Sequence, residues 1–264
     1  MNLLNFGLAG KVCLVAGGGQ GMGKSCVLAL AEAGVKVACV DLDERRARNV
    51  ADEALAAGGE VFPLAANVCK QAEIERSLKA IVAHWGPIDL CVDNVGTPSR
   101  GPLLEQTEEQ FDQMVDICLR HQFLLARDVA RHMSELRRTG AYVSISSISG
   151  NTAAPFHGLY GAMKAAVSAL VKTLAFELGP LGIRVNAVAP GCIGGPRYLI
   201  DHDDALLRAR EAIIPLRRIG TGDDVAKVVV FLLSDLASYV SGQIINVDGG
   251  VSVRLPVPMA GELN

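Results

Sequence analysis

The stretch KVCLVAGGGQGMG (residues 11–23) joins a short apolar run to a glycine-rich turn at the start of a helical pattern. The apolar run 11–16 is typical of a strand that is buried on both faces of a parallel sheet. Glycine at such a turn permits positive φ and close approach of the backbone to a diphosphate, and the helix N-terminus offers N–H donors to the anion. The common GxGxxG spacing is absent, and the spacing is instead Gly17, Gly21 and Gly23. A strand-to-helix turn that binds no ligand is the competing interpretation of this stretch alone.

Apolar runs alternate with longer helical patterns along the whole chain of 264 residues. Strands are predicted at 11–16, 35–42, 61–66, 88–94, 141–147, 183–190 and 243–248. Helices are predicted at 22–33, 43–57, 70–84, 107–134, 158–178 and 223–234. This alternation predicts an α/β fold, with a single doubly wound, Rossmann-type domain over residues 1–264 and a parallel sheet buried on both faces. Ligands of such sheets bind beyond the carboxyl ends of the strands, so the residues after each strand are candidates for a site.

Composition and charge exclude several classes of function. Half of the residues are apolar, the formal net charge is −3, and no run of like charges stands out, so neither a nucleic-acid nor a membrane partner is expected. Seven cysteines without a CxxC pair and five histidines without HExxH spacing predict neither a disulfide framework nor a metal site. The first ten residues lack the basic start of a signal peptide, and no stretch approaches the ~20 apolar residues of a membrane span. A soluble, cytoplasmic protein is therefore expected.

Asp41 closes the second predicted strand, eighteen residues after Gly23. A carboxylate at this place can accept hydrogen bonds from the adenosine ribose hydroxyls of a dinucleotide, and it repels a 2′-phosphate. No lysine or arginine lies within the glycine turn before Lys24, so the cofactor is predicted to be NAD rather than NADP. Asp43 is the competing acid, but its position favours a structural role as the N-cap of the next helix.

Tyr160 and Lys164 lie four residues apart in the helical pattern 158–178, so their side chains share one face of a helix. A Tyr-x-x-x-Lys match arises easily by chance, and an exposed pair on an amphipathic helix is the competing interpretation. Ser147 ends a predicted strand thirteen residues before Tyr160. Its hydroxyl is therefore expected at the carboxyl edge of the sheet, where a cofactor would lie.

These three residue types suit the interconversion of an alcohol and a ketone. Oxidation removes a proton from the alcohol oxygen while a hydride leaves carbon for a nicotinamide. A free tyrosine has a pKa of about 10, too high for a good base at neutral pH. The Lys164 cation and the positive nicotinamide ring would stabilise the phenolate and lower that pKa. The Ser147 hydroxyl can hydrogen-bond the substrate oxygen and hold it beside Tyr160.

Taken together, these motifs resemble those of the short-chain dehydrogenase/reductase family. The resemblance extends from Lys11 to Gly250 and rests on six segments: AGGGQGMG (16–23), DNVG (93–96), SISSISG (144–150), YGAMK (160–164), RVNAVAPG (184–191) and NVDGG (246–250). It implies a doubly wound sheet of seven parallel strands with helices on both faces, ordered binding of a nicotinamide dinucleotide, and a homotetramer.

The resemblance also implies roles for individual residues. Ser147 would orient the substrate, Tyr160 would be the acid/base, and Lys164 would tune Tyr160 and hold the nicotinamide ribose. Cys118 falls at the fourth catalytic position, normally an asparagine whose backbone carbonyl anchors a proton-relay water. Cysteine keeps that carbonyl, but the helix distortion that exposes it stays open, and simple packing is the competing role. Cofactor contacts are implied for Gly17, Gly19, Gln20, Gly21, Met22, Gly23, Asp41, Leu42, Asn67, Val68, Asn94, Val95, Gly96, Tyr160, Lys164, Pro190, Gly191 and Ile193.

Several positions depart from the family pattern. Ala16 stands where a threonine hydroxyl frequently ties down the neighbouring asparagine segment. In that segment, Asp93 and Val95 replace an asparagine and an alanine. Asn67 stands where an aspartate usually contacts the adenine amino group, and its amide oxygen could still accept that bond. Gly195 falls where a threonine often contacts the carboxamide of the cofactor.

The leading hypothesis is an NAD(H)-dependent oxidoreductase that interconverts a secondary alcohol and a ketone, with the dehydrogenase direction favoured by Asp41. The segment 192–216 is predicted to form a helical lid over the substrate. A moderately apolar, cyclic alcohol would suit the residues expected around it: Ser149, Asn151, Phe156, His157, Tyr198 and Leu199. The end of the chain, 251–264, is predicted to be an irregular tail because Pro256 and Pro258 exclude a regular helix or a central strand.

Two other classes of function remain open at this stage. The first is a nucleotide-binding regulatory or scaffolding protein that has kept the fold and lost turnover, which the departures at Ala16, Asp93, Cys118 and Gly195 favour. The complete set of Ser147, Tyr160 and Lys164 opposes it. The second is methyl transfer on a similar sheet, which would leave Tyr160 and Lys164 without a role.

Overall fold

The computed structural model describes residues 6–195 and 204–253. Seven strands form one parallel sheet in the order β3-β2-β1-β4-β5-β6-β7. They are β1 Val12–Ala16, β2 Lys36–Asp41, β3 Glu60–Ala65, β4 Leu90–Asp93, β5 Gly140–Ile145, β6 Ile183–Pro190 and β7 Ile244–Val247. The predicted doubly wound α/β sheet is thereby confirmed, and each strand lies within two residues of its predicted bounds.

The helices also follow the predicted order, with one difference. They are α1 Gly21–Glu32, α2 Glu44–Ala56, α3 Gln71–Trp85, α4 Glu108–Val115, α5 His121–Glu135, α6 Gly158–Leu178, α7 Asp204–Ile213 and α8 Gly222–Leu233. The helix predicted over 107–134 is present over 108–135, and a π-helical turn at Asp116–Arg120 within it divides it into α4 and α5. Apolar periodicity continues through such a turn, since a single i→i+5 turn shifts the helix face by only one residue.

Helices cover both faces of the sheet. On one face, α1, α2 and α8 bury apolar side chains such as Val27, Val50 and Val229 against alternate strand residues. On the other face, α3, α5 and α6 do the same with Leu125 and Val171 among others. Successive strand residues thus point into two different cores, which explains why the strands are apolar at nearly every position.

The register of the sheet brings the functional loops together. Ala16 at the end of β1 pairs with Val40 of β2 on one side and with Asp93 of β4 on the other. Asp93 in turn pairs with Ser144 of β5. The strand order reverses between β1 and β4, and ligands of doubly wound sheets bind at such a switch point.

The long helix α6 departs from the expectation that no stretch approaches the length and apolarity of a membrane span. In the described part of the chain, Gly158–Leu181 is the one helical segment that is long and apolar enough to cross a membrane, judged by length and composition only. The core helix of a globular protein can pass the same test. Lys164 of α6 is buried and donates to the carbonyl of Ile145 in β5, so this helix is anchored to the sheet.

Two predicted segments are described only in part. The predicted lid 192–216 contains α7, while residues 196–203, with Tyr198 and Leu199, lie outside the described residues. The predicted irregular tail begins with a short 3-10 turn at Val251–Val253, and residues 254–264 lie outside the described residues. The role of 192–216 as a lid stays a prediction.

Candidate active site

The glycine turn after β1 depends on close backbone contacts. The N–H groups of Gly17 and Gly18 both donate to the carbonyl of Val40, at 2.8 and 3.1 Å. Gly23 in the first turn of α1 lies so near that a Cβ there would be 1.9 Å from the Gly17 carbonyl oxygen. Any side chain at Gly23 would therefore force the turn away from the helix N-terminus. The turn and helix together form a backbone surface suited to a diphosphate.

Asp41 is tied directly to this turn. Its Oδ2 accepts a hydrogen bond from the N–H of Gly19 at 2.9 Å, and its Oδ1 accepts one from the N–H of Asp43 at 3.0 Å. The carboxylate is therefore held at the edge of the turn. Asp43 accepts from the backbone N–H groups of Arg45 and Arg46, which confirms its predicted role as the N-cap of α2.

The loop after β4 packs against the glycine turn without the expected threonine. The backbone N–H of Asn94 donates to the carbonyl of Ala16 at 3.0 Å, and its side-chain Nδ2 donates to the carbonyl of Gly17 at 3.1 Å. These main-chain and amide hydrogen bonds hold the loop against the glycine turn without a hydroxyl at position 16. Among the described residues, Asn94 Oδ1 is buried without a donor. A dinucleotide hydroxyl or amide could supply that donor, so the loop fits such a cofactor.

The other predicted cofactor contacts lie along the same edge. The N–H of Ala66 donates to the carbonyl of Asp41, which brings the predicted adenine-side residues Asn67 and Val68 beside the acid. Asn67 Oδ1 accepts from the N–H of Cys69 at 3.0 Å, so one of its two lone pairs is already used. Leu42 is mostly exposed.

Beyond β6, a turn follows Pro190 on the nicotinamide side of the predicted site. The N–H of Gly191 donates to the carbonyl of Val247 at 3.0 Å. Ile193 forms an isolated parallel bridge with Gly220, just before α8. These contacts fix the first residues of the predicted lid to the sheet edge.

The turn that contains Ser147 lies against Lys164 of α6 beyond the end of β5. Ser147 caps a 3-10 turn, Ile148–Gly150, and its Oγ accepts from the N–H of Ser149 at 3.1 Å. This turn lies directly on α6, since a Cβ at Gly150 would be 2.7 Å from the backbone of Lys164. The hydroxyls of Ser146 and Ser168 both donate to the carbonyl of Lys164, at 3.1 Å each. The strand end and the helix are thereby locked together.

Lys164 is the most constrained member of the trio. Its side chain is 2% exposed, and Nζ donates to the carbonyl of Ile145 at 2.7 Å. Burial lowers the pKa of Lys164, and the nearby Cys118 and Asp93 oppose that change. Nζ lies 5.7 Å from the centre of the Tyr160 ring. The competing interpretation of an exposed Tyr–Lys pair is therefore wrong for Lys164.

The π-helical turn places Cys118 at the same centre. A Cβ at Gly96 would lie 3.2 Å from Lys164 Nζ and 3.9 Å from Cys118 Sγ, so both side chains contact this glycine. The thiol donates weakly to the carbonyl of Thr97 at 3.6 Å. Burial raises the pKa of Cys118, which favours the neutral thiol over a nucleophilic thiolate. The helix distortion that the sequence left open is present at Cys118.

His157 lies at the N-terminus of α6 beside the predicted base. Its ring meets the Tyr160 ring edge to face, with centroids 5.8 Å apart. Burial, and secondly the charge of Arg100, lower the pKa of His157, so the neutral imidazole is favoured. Within the described residues its buried Nδ1 has no hydrogen-bond partner. Phe156 next to it adopts a φ of +62° and is largely exposed.

One part of this region, the buried pair Asp93–His121, was not predicted from the sequence. Asp93 and His121 are fully buried, and the His121 Nδ1 lies 3.0 Å from Asp93 Oδ2. Sequence reasoning treated Asp93 only as a departure and gave His121 no role. The one available signal was an acid at the end of an otherwise apolar strand, LCVD (90–93). Among the described residues, no group of three or more histidine, cysteine or acidic side chains could hold a metal ion.

The sheet and the glycine turn define a dinucleotide-binding α/β protein with its site at the switch point between β1 and β4. A family model described as enoyl-(acyl carrier protein) reductase matches residues 16–252. The chain belongs to the short-chain dehydrogenase/reductase family. It is an oxidoreductase, and its family binds a nicotinamide dinucleotide.

Individual relatives match along nearly their whole length. The chain is 36% identical over 249 residues to the 3-oxoacyl-[acyl-carrier-protein] reductase FabG of Thermotoga maritima, covering 93% of this chain and 99% of the relative. It is 35% identical over 262 residues to the versicolorin reductase stcU of Emericella nidulans, covering 93% and 97%. A crystal structure of a putative gluconate dehydrogenase from Agrobacterium tumefaciens superimposes with a TM-score of 0.90 at 28% identity, covering 95% and 99%.

The contact between Gly23 and the glycine turn yields the first test. Gly23→Ala should lower the affinity for NADH by at least about tenfold, because the new methyl group cannot fit beside the Gly17 carbonyl. Fluorescence titration with NADH measures the affinity, and chemical denaturation shows whether the variant is folded. Gly179→Ala, at a glycine with no atom within 4 Å of the added Cβ, is the matched control and should bind normally. Equal affinity in both variants would contradict the assignment of the turn.

Proposed function

We propose that this protein interconverts a secondary alcohol and a ketone with NAD(H), and that Tyr160 is the acid/base. The observation that carries the proposal is the buried ammonium of Lys164, held against the end of β5 and 5.7 Å from the Tyr160 ring. Among the described residues, Nζ has a backbone carbonyl and no carboxylate at hydrogen-bonding distance. A buried cation of this kind is costly, and a site retains it where it stabilises a negative charge. The phenolate of Tyr160 is such a charge.

In the direction of oxidation, Tyr160 Oη takes the proton from the substrate hydroxyl as the C–H hydride departs. The nicotinamide dinucleotide, when bound, accepts that hydride. Lys164 stabilises the deprotonated Tyr160 before the step. Ser147 donates a hydrogen bond to the substrate oxygen in this proposal, and its Oγ accepts one from the Ser149 N–H. Reduction uses the same groups in reverse, with Tyr160 as the acid.

Cys118 supplies the proposed route by which the proton leaves. Its side chain packs beside Lys164, and the π-helical turn disrupts the ordinary i→i+4 bonding of the helix there. We assign the relay to its backbone carbonyl, which cysteine shares with asparagine. The thiol fills the space between Gly96 and the helix.

Asp41 supports NAD as the cofactor. Its carboxylate is fixed at the glycine turn by the N–H of Gly19, where it would accept from ribose hydroxyls and repel a 2′-phosphate. The guanidinium of Arg46, in the first turn of α2, lies 3.4 Å from the Asp43 carboxylate and is thus engaged in an ion pair.

For the substrate, we propose a moderately apolar, cyclic alcohol or its ketone. The residues beside Tyr160 combine an exposed phenyl ring, that of Phe156, with the polar groups of His157, Ser149 and Asn151. The predicted lid 192–216 would close over this surface. The reductase names of the relatives agree with a carbonyl as one of the two reacting forms.

A catalytically weak regulatory or scaffolding protein of the same fold is the alternative. The departure at Cys118 favours this alternative. The π-helical turn and the burial of Lys164 oppose it, because the leading proposal gives both features a role in proton transfer. The departure at Ala16 is offset by the contacts of Asn94 with the glycine turn.

We also propose a cytoplasmic homotetramer. Phe176 on α6 is 86% exposed, and Phe123 on α5 is about half exposed, so two neighbouring helices present aromatic surface to solvent in the single chain. Exposed apolar surface of this kind is typical of an interface between subunits.

Removing the Tyr160 hydroxyl tests the acid/base assignment. Tyr160→Phe should lower kcat by at least about 100-fold with secondary alcohols and NAD, while NADH binding is retained, because only the proton-transferring group is lost. Absorbance at 340 nm follows turnover, and NADH fluorescence follows binding. Tyr239→Phe, at a fully exposed tyrosine, is the control and should behave as wild type. Unchanged activity of Tyr160→Phe would refute the assignment. If the wild type turns over none of a series of secondary alcohols and ketones, the regulatory alternative is favoured.

Cofactor choice provides a second test. The wild type should show a higher kcat/KM for NAD than for NADP, and Asp41→Asn should shift the ratio towards NADP by roughly tenfold because it removes the like-charge repulsion. Asp52→Asn, at an exposed carboxylate later in α2, is the matched control, and its ratio should stay unchanged. A wild-type preference for NADP would contradict the proposal.

The oligomer is tested by light scattering after size-exclusion chromatography. The wild type should have the mass of four chains of 27.8 kDa each, and Phe176→Asp should give a smaller species because it charges the proposed interface. Leu55→Asp, at an exposed leucine of α2, should leave the mass unchanged. A monomeric wild type would overturn the tetramer.

A further inference from the structure

The buried pair Asp93–His121 lies directly behind Lys164 and Cys118 and takes no direct part in the proposed transfer of proton and hydride. Asp93 ends β4, immediately before the loop that contacts the glycine turn, and His121 is the first residue of α5, immediately after the π-helical turn. Both side chains are fully buried. Two ionisable groups at such depth are costly unless their bonds are satisfied by each other and by the backbone.

The carboxylate of Asp93 is satisfied on all sides. Oδ2 lies 3.0 Å from His121 Nδ1 and accepts from the Tyr142 hydroxyl at 3.2 Å, and Oδ1 accepts from the N–H of Val95 at 3.3 Å. Burial, with the charge of Asp93 beside it, holds the pKa of Tyr142 well above its usual value, so this hydroxyl stays protonated and remains a donor. Asp93 therefore offers His121 a fixed acceptor.

The other ring nitrogen of His121 acts on the helix. Nε2 lies 3.0 Å from the carbonyl oxygen of Ile117. In a regular α-helix, that carbonyl would accept from the backbone N–H of His121 itself, four residues later. Because a carbonyl can only accept, Nε2 carries a hydrogen and donates it. The imidazole thus supplies a donor to a carbonyl inside the π-helical turn Asp116–Arg120, where the i→i+4 pattern is interrupted.

We propose that Asp93 and His121 form a positioning pair that holds the π-helical turn open and keeps Cys118, with its backbone carbonyl, beside Lys164. The carbonyl of Ile117 belongs to the peptide group that joins Ile117 to Cys118. The hydrogen bond from His121 Nε2 to this carbonyl therefore fixes the peptide next to the relay position. Neither residue of the pair touches the reacting atoms. The inference rests on the proposed role of the Cys118 carbonyl in proton transfer. It adds that the Asp93–His121 pair maintains the helix distortion at this carbonyl.

The pair also explains two unusual residues at once. Asp93 stands where the family pattern has asparagine. An asparagine would place an amide NH₂ group, which cannot accept, against either the Val95 N–H or the His121 ring and the Tyr142 hydroxyl. A lone buried carboxylate at 93 would be equally costly without His121. Each residue is therefore tolerated because the other is present, and the two should act as a unit.

Substitutions at His121 separate its two bonds. The asparagine side chain of His121→Asn is too short to reach both Asp93 and Ile117. This variant should lower kcat by roughly tenfold or more, while KM for NAD stays within about twofold. The reason is that proton transfer is affected and cofactor binding is not. The solvent deuterium isotope effect on kcat should rise. His121→Gln can still donate to the Ile117 carbonyl from its amide nitrogen and should recover most of kcat. Asp93→Asn and His121→Asn should be non-additive in a double-mutant cycle.

The control is His132→Asn, the same substitution eleven residues along α5. His132 Nε2 accepts from the N–H of Ile88, far from Lys164, so this variant should lose stability without a change in kcat or isotope effect. Hydrogen exchange of the amides of 116–121 gives a readout without turnover, and it should accelerate in His121→Asn and not in His132→Asn. Should His121→Asn fail to fold, Asp93→Asn breaks the pair from the other side and is measured in the same way.

The outcomes separate this inference from the proposed function. If the wild type turns over and folded His121→Asn has the same kcat, isotope effect and exchange rates, the positioning role is overturned. A change in stability alone, as in His132→Asn, would also overturn it. If the wild type has no turnover, the proposed function fails, and the exchange rates of 116–121 alone decide whether the pair holds the turn.

Discussion

The ammonium of Lys164 is the constraint on which the site depends, because a buried cation must be given partners or lose its charge. Its Nζ donates to the end of β5, and the hydroxyls of Ser146 and Ser168 hold its own carbonyl. These bonds fix α6 against the sheet at one point. Tyr160, one helical turn earlier, takes its position from the same anchor. The arrangement of the candidate catalytic residues thus follows from the hydrogen bonds that stabilise the buried ammonium of Lys164.

The parallel register extends this constraint to the cofactor side. Because β1, β2 and β4 end at the same level, the glycine turn, Asp41 and Asn94 become neighbours although they lie far apart in the chain. Each bonds a backbone group of the turn or of its flanks. The site is therefore assembled mainly from main-chain contacts, which tolerate a change such as alanine at position 16. This tolerance explains why departures from a family motif need not abolish the geometry.

A buried pair of ionisable side chains, Asp93 and His121, lies behind Lys164. Asp93 and His121 satisfy each other and reach into the π-helical turn, while Asp93 also opposes the effect of burial on the pKa of Lys164. The Asp93–His121 pair and Lys164 lie at the adjacent carboxyl ends of β4 and β5. Stability and candidate catalysis are therefore coupled here, since the groups that are most costly to bury are those nearest the reacting position.

The sequence by itself determined the order of strands and helices, the glycine turn, and the residues Asp41, Ser147, Tyr160 and Lys164 as a set. These features are local, because apolar periodicity and the spacing of a few neighbours along the chain produce them. Only the tertiary structure decided that Lys164 is buried and that the helix is distorted at Cys118. It also decided that His121 meets Asp93, since strand pairing and helix packing bring together residues 28 positions apart. No local pattern encodes such a contact, because its energy arises from burial that exists only once the sheet has formed.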